Sequence, residues 1–132
     1  AEWLKNFLEE MPFIIVSDKS IFVHAGFDCS KSVEEQETDY LIWNRDKFWE
    51  NNNIGKNIFF GHTPSISGEV REYINNVFCL DTGSFFNYRL GVMEIKSKKI
   101  FSFNFFKLFA LFFFSEIRFK TLQMSFKSLD NN

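Results

Sequence analysis

Apolar residues in the first ten positions fall at Trp3, Leu4, Phe7 and Leu8, the i, i+3, i+4 recurrence that gives a helix one apolar stripe. The spacing predicts an amphipathic helix over 3–10, ended by Met11-Pro12. Short apolar runs then replace the stripe. Residues 13–16 and 21–23 read as two strands around the turn Ser17-Asp18-Lys19-Ser20. The stretch 29–40 is polar and acidic, a surface loop or helix start. Helical spacing resumes over 40–49 through Leu41, Trp43 and Phe48. Asn51-Asn52-Asn53 with Gly55 is a loop, and 58–60 is a further strand. Three more strands are expected at 69–73, 77–80 and 89–95, with Asn75-Asn76 suited to a tight turn between the first two. These three are expected to be antiparallel neighbours in a second sheet. The chain therefore reads as a β-rich mixed α/β architecture with helices near its front.

Two of the strand-like runs end on a histidine beside a glycine: Ile21-Phe22-Val23-His24-Ala25-Gly26 and Ile58-Phe59-Phe60-Gly61-His62-Thr63-Pro64. They hold the only two histidines in the protein. Each ring is expected where a strand leaves the core, and α/β proteins bind ligands at such strand ends. Neutral imidazole is also a common ligand for borderline transition metals. A single histidine in this context is more often a hydrogen-bonded structural residue; two of them point to a shared site.

Length and composition narrow the choices. The 132 residues make one domain at most. A net charge of −2 predicts no attraction to nucleic acid or to an anionic membrane. The 45% apolar content is ordinary, but aromatic residues reach 20%, and 20 of them are phenylalanine. Cys29 and Cys79 match no metal or redox spacing, which suits a reduced cytoplasmic setting and leaves a single disulfide open. The N-terminus shows neither an initiator methionine nor a signal-peptide n-region, so the chain reads as beginning partway through a longer one. The stretch 104–114 is dominated by phenylalanine and interrupted by Lys107. It is shorter than the roughly 20 apolar residues a membrane-spanning helix needs, so no transmembrane span is expected. The tail 104–132 has no recognised fold, and its phenylalanines are expected to pack poorly on the domain.

Four landmarks occur in order: Phe22-Val23-His24-Ala25-Gly26, Leu41-Ile42-Trp43-Asn44-Arg45, Phe60-Gly61-His62-Thr63-Pro64 and Leu80-Asp81-Thr82-Gly83. Together they resemble the C-terminal half of the phosphoprotein phosphatase family of metallophosphoesterases, which includes bacterial and phage serine/threonine phosphatases and symmetrical diadenosine tetraphosphatases. The resemblance covers about residues 3–103. It implies a partial calcineurin-like metallophosphoesterase domain over 1–103: the C-terminal half of a four-layer α/β/β/α sandwich with mixed and antiparallel sheet. It assigns His24 and His62 to a metal position and Arg45 to the substrate phosphate. The loop 81–83 would line the site without supplying a ligand.

The residue types suit that chemistry. Two divalent ions about 3.5–4 Å apart acidify a bridging water and clamp the oxygens of an in-line displacement. Manganese comes first, with iron or zinc as alternatives. A guanidinium grips phosphate through two parallel hydrogen bonds. The Gly-Asp-x-His, Gly-Asp-x-x-Asp-Arg-Gly and Gly-Asn-His-Asp/Glu segments of the family have no counterpart before His24. The chain is therefore expected to be a fragment, holding at most one weakly bound ion, with a separate N-terminal half as its missing partner. The expected substrate is phosphoserine or phosphothreonine in a protein. Alternatives are a diadenosine tetraphosphatase, acting on a phosphorylated small molecule, and a non-catalytic remnant or interaction module.

Overall fold

The computed structural model describes residues 2–105. The expectations for the Phe-rich tail from 106 onward lie outside the described residues. In chain order the elements are α1 (Glu2–Glu10), β1 (Ile14–Val16), β2 (Ser20–Val23), α2 (Thr38–Trp43), β3 (Asn57–Phe60), β4 (Arg71–Tyr73), β5 (Val77–Cys79), α3 (Ser84–Asn87), β6 (Arg89–Glu94) and β7 (Lys99–Asn104). Asn104, assigned to the tail from sequence, instead closes β7, paired with Arg89.

Five strands form one mixed sheet in the order β1-β2-β3-β5-β4. The three central strands run parallel, with Ile21 opposite Ile58 and Ile58 opposite Val77. The edge strands β1 and β4 are antiparallel to their neighbours. The expected grouping of the last three strands is thereby corrected. β4 and β5 form the anticipated hairpin but belong to the main sheet, whereas β6 pairs with β7 in a separate two-stranded ribbon. Both Asn75 and Asn76 in the β4–β5 turn take φ 60°, which asparagine tolerates better than most residues.

Central parallel strands are covered on both faces and so read as unbroken apolar runs. One face of this sheet presents Ile21, Val23, Ile58, Phe60, Val77 and Cys79 to Phe27, Leu41 and Phe48 from the connecting segments. The other carries Phe22, Phe59 and Phe78 in register, their rings stacked with centroids 5.1 Å apart at each step. Full burial of such side chains contributes about 1.5–3 kcal/mol apiece. By contrast, every residue of α1 is exposed, so its apolar stripe is not buried in the core.

The helical spacing over 40–49 breaks in the middle. Helix α2 stops at Trp43, and a separate 3-10 turn occupies Phe48–Asn51. Asn44 makes the break: its Oδ1 accepts from the Asp46 backbone N–H at 3.1 Å, the local bond that draws asparagine out of helices.

The β6–β7 ribbon is pinned to the loop 81–83. Thr82 Oγ1 donates to the Arg89 carbonyl at 2.6 Å and accepts from the Gly91 N–H at 3.2 Å. A Cβ on Gly91 would lie 2.7 Å from both Thr82 Cγ2 and Val70 Cγ2, so only glycine lets the ribbon come this close.

Candidate functional site

The parallel strands β2, β3 and β5 all end at one edge of the sheet, and the ladder continues past each of them. The Gly61 N–H donates to the His24 carbonyl at 2.8 Å, and the Leu80 N–H to the Phe60 carbonyl at 2.8 Å. This carries His24, His62 and Asp81 out of the sheet side by side. They line an open depression of about 430 Å³ whose floor includes Phe22 and Phe59.

His24 Nε2 lies 3.1 Å from His62 Nδ1, with the rings edge to face. One nitrogen donates and the other accepts. Metal–imidazole bonds of about 2.0–2.1 Å place two ligand nitrogens about 3.0 Å apart at a right angle and about 3.4 Å apart in a tetrahedron. The observed separation lies between these values. His62 also has φ 65°, a left-handed backbone uncommon outside glycine and concentrated at functional sites. Its Nε2 is buried without a hydrogen-bond partner. Loss of solvent around the ring, then the charge of Arg45 and of His24, hold the His62 pKa below its ordinary value, with Asp81 opposing them. The ring is thereby favoured in its neutral form, with a free lone pair. Together the two imidazoles fit a shared ion as two of its ligands. Among the described residues no third histidine, cysteine or carboxylate joins them to complete a metal-binding group.

Arg45 reaches the same edge from the end of α2. Its Nη1 donates to the His62 carbonyl at 3.4 Å and to Thr63 Oγ1 at 3.5 Å, both long contacts. Among the described residues it makes no ion pair, which leaves the fork able to turn toward an anion. Two local features aim it. Asn44 closes the turn around Arg45 through Asp46, and Gly26 allows Asn44 to pack against the His24-Ala25-Gly26 segment. A Cβ on Gly26 would stand 2.5 Å from Asn44 Nδ2. The Ala25 N–H donates to the Leu41 carbonyl at 2.8 Å, fastening the same segment to α2.

Asp81 lines the depression, but its Oδ1 accepts from the Gly83 N–H at 2.8 Å and thus serves the turn. The thiols take no part. Both cysteines are free, and burial pushes Cys29 up to about 11 and Cys79 above its ordinary value, so neither is a thiolate at neutral pH.

Trp43 is the residue whose placing the periodicity did not show. The helical spacing ran through it together with Leu41 and Phe48, but it is 66% exposed, and its indole meets the His62 ring edge to face at 5.5 Å. Helix geometry carried the signal. Two residues at about 100° each turn Trp43 to the opposite side of α2 from the buried Leu41.

By sequence, no protein-family profile and no curated protein matches the chain. By structure, it is similar to a crystal structure described as a "putative diadenosine tetraphosphatase", with a TM-score of 0.64 and 18% identity over 76% of this chain and 54% of that one. The chain thus spans about half the length of that protein. The likeness concerns the fold alone: a mixed α/β arrangement with a mixed parallel and antiparallel sheet. Among the described residues, no helix is long and apolar enough to cross a membrane.

Proposed function

We propose that this chain carries the two-histidine, one-arginine half of a dimetal phosphoesterase site. The observation that carries this reading is the 3.1 Å approach of His24 Nε2 to His62 Nδ1 at the carboxyl ends of β2 and β3. Divalent ions, when bound, supply an acidified water and neutralise charge on the phosphoryl oxygens. His24 and His62 would hold one ion, of manganese, iron or zinc, and Arg45 would orient the phosphate. The neutral form of His62 serves this role because ligation needs a free lone pair.

Phosphoserine and phosphothreonine in proteins are the first choice of substrate, on the resemblance of the four ordered landmarks to a phosphatase family that also includes diadenosine tetraphosphatases. A second reading, hydrolysis of a dinucleoside tetraphosphate, is supported by the description of the similar structure and by the exposed indole of Trp43.

Calorimetric titration with Mn²⁺ or Zn²⁺ tests the metal reading. The full chain should bind one ion weakly, and His62→Ala and His24→Ala should each abolish binding. Binding that survives both substitutions overturns the assignment. Arg45 is tested separately with inorganic phosphate in excess Mn²⁺. Arg45→Lys should weaken phosphate binding about tenfold, because a point charge cannot reproduce the planar fork, and should leave metal affinity unchanged. Equal phosphate affinity would remove Arg45 from the site.

A further inference from the structure

We infer that the apolar stripe of α1 docks on the outward face of the β6–β7 ribbon of a second copy of this chain, and that two such contacts close a dimer. The inference is independent of the phosphoesterase reading. It begins with a ribbon that uses only one of its faces. Gly91 faces inward, where an added Cβ would strike Thr82 and Val70. The opposite face carries the cross-strand pairs Leu90–Phe103 and Val92–Phe101, and each of these side chains is 41–54% exposed. A two-stranded ribbon is marginally stable until its apolar face is covered. Helix α1 has the matching deficit, since Trp3, Leu4, Phe7 and Leu8 are all exposed. An amphipathic helix laid on an apolar surface is a recurring mode of recognition.

Charge selects this pairing. Glu9 and Glu10 end α1, and its last turn holds no basic residue. The acids therefore add to the negative end of the helix dipole, an unfavourable arrangement in isolation. At about 100° per residue, Glu10 falls beside Phe7 on the rim of the stripe. The ribbon offers the opposite sign: its turn holds Lys96 and Lys98, and Lys99 opens β7. Lys99 stands on the outward face, its Nζ 5.0 Å from the Phe101 ring centroid. Lys98 pairs with Glu72 at 3.5 Å, but among the described residues Lys96, Lys99 and Glu10 make no ion pair. Docking sets the acidic end of α1 over these lysines. Two α1 helices packed on each other would instead set three glutamates per helix against a single lysine. Within one chain α1 precedes the edge strand β1, whereas the ribbon is pinned to the loop after β5, across the sheet. Exchange between two copies uses each stripe and each ribbon face once, which closes a twofold dimer instead of an open filament.

Sedimentation velocity of the full chain at low ionic strength, over a range of concentrations, tests the exchange. The wild type should show a monomer–dimer equilibrium. Glu9→Lys with Glu10→Lys, and separately Lys96→Glu with Lys99→Glu, should each raise the dimer dissociation constant about tenfold or more, by setting like charges together. Mixed in equal amounts, the two variants should dimerise about as tightly as the wild type, because both contacts of the mixed pair again join opposite charges. A variant that had merely failed to fold would not recover on mixing. A wild type that stays monomeric overturns the proposal and leaves the two faces to a different chain. Association that neither pair of reversals weakens, or weakened variants whose mixture stays monomeric, overturns it as well.

Discussion

His62 links most of what is unusual in this chain. Its backbone is left-handed, one ring nitrogen is buried without a partner, the other meets His24, and an indole and a guanidinium lie to either side. Desolvation, with Arg45 and His24, makes protonation of this ring harder in the folded protein than in the unfolded chain. The pKa is depressed below 6.5, so the unfolded state binds more protons as the pH falls through and below that value. The resulting penalty is absent above the ordinary imidazole pKa and grows as the solution becomes more acidic. Denaturant unfolding between pH 8 and pH 5 should therefore show wild-type stability falling below about pH 6.5. His62→Asn should fall less steeply, since asparagine tolerates the left-handed backbone and does not titrate. Superimposable pH profiles would contradict the assigned environment.

At the scale of elements, two glycines that look alike in the sequence do different work. Gly26 and Gly61 each adjoin a histidine segment at a strand end. An added Cβ at Gly26 would meet Asn44 Nδ2 at 2.5 Å and Asn44 Cβ at 2.8 Å, and Asn44 is buried and tied to Asp46. At Gly61 the nearest atoms lie at 3.7 Å, an ordinary contact. Gly26→Ala should cost about 1–3 kcal/mol as an overpacked site, and should weaken phosphate binding by moving the turn that aims Arg45. Gly61→Ala should stay within about 0.5 kcal/mol of wild type. Thermal unfolding of the two variants decides between them; equal losses would show that the Asn44 contact does not set the geometry.

The same elements show which features can be read from residue order. The strands ending on His24 and His62 were legible because a β-branched and aromatic run bounded by glycine has few other solutions. The turn at Asn75-Asn76 was legible from asparagine's tolerance of positive φ. Strand partners were not. Periodicity assigns faces but does not say that β5 lies parallel to β3 while β6 leaves the sheet. The break at Asn44 was hidden because spacing counts apolar positions and ignores a side chain that competes for the backbone. The outward placing of Trp43 was hidden for a related reason: the spacing groups it with Leu41 and Phe48, although its angle around α2 points it outward.

At the scale of the whole molecule, the described residues bring two imidazoles and a guanidinium to one sheet edge and no carboxylate free to bridge ions. Asp81 is engaged by the Gly83 N–H. Asp28 is held below the usual carboxylate range by hydrogen bonds from Ser30, with Lys31 3.7 Å from its other oxygen. Asp18 lies in the β1–β2 turn, at the opposite end of β2 from His24. On the proposed reading, two nitrogen ligands would retain one ion weakly and give a second ion no shared ligand, so a water there would not be doubly activated. Among the described residues, the acid that lines the depression beside the histidines is Asp81, whose Oδ1 is taken by the Gly83 N–H. The purified chain should therefore bind Mn²⁺ yet fail to hydrolyse p-nitrophenyl phosphate, a phosphopeptide or diadenosine tetraphosphate above the metal-only background. Metal-dependent turnover that His62→Ala abolishes would show that the chain, alone or as an assembly of copies, supplies the carboxylates after all.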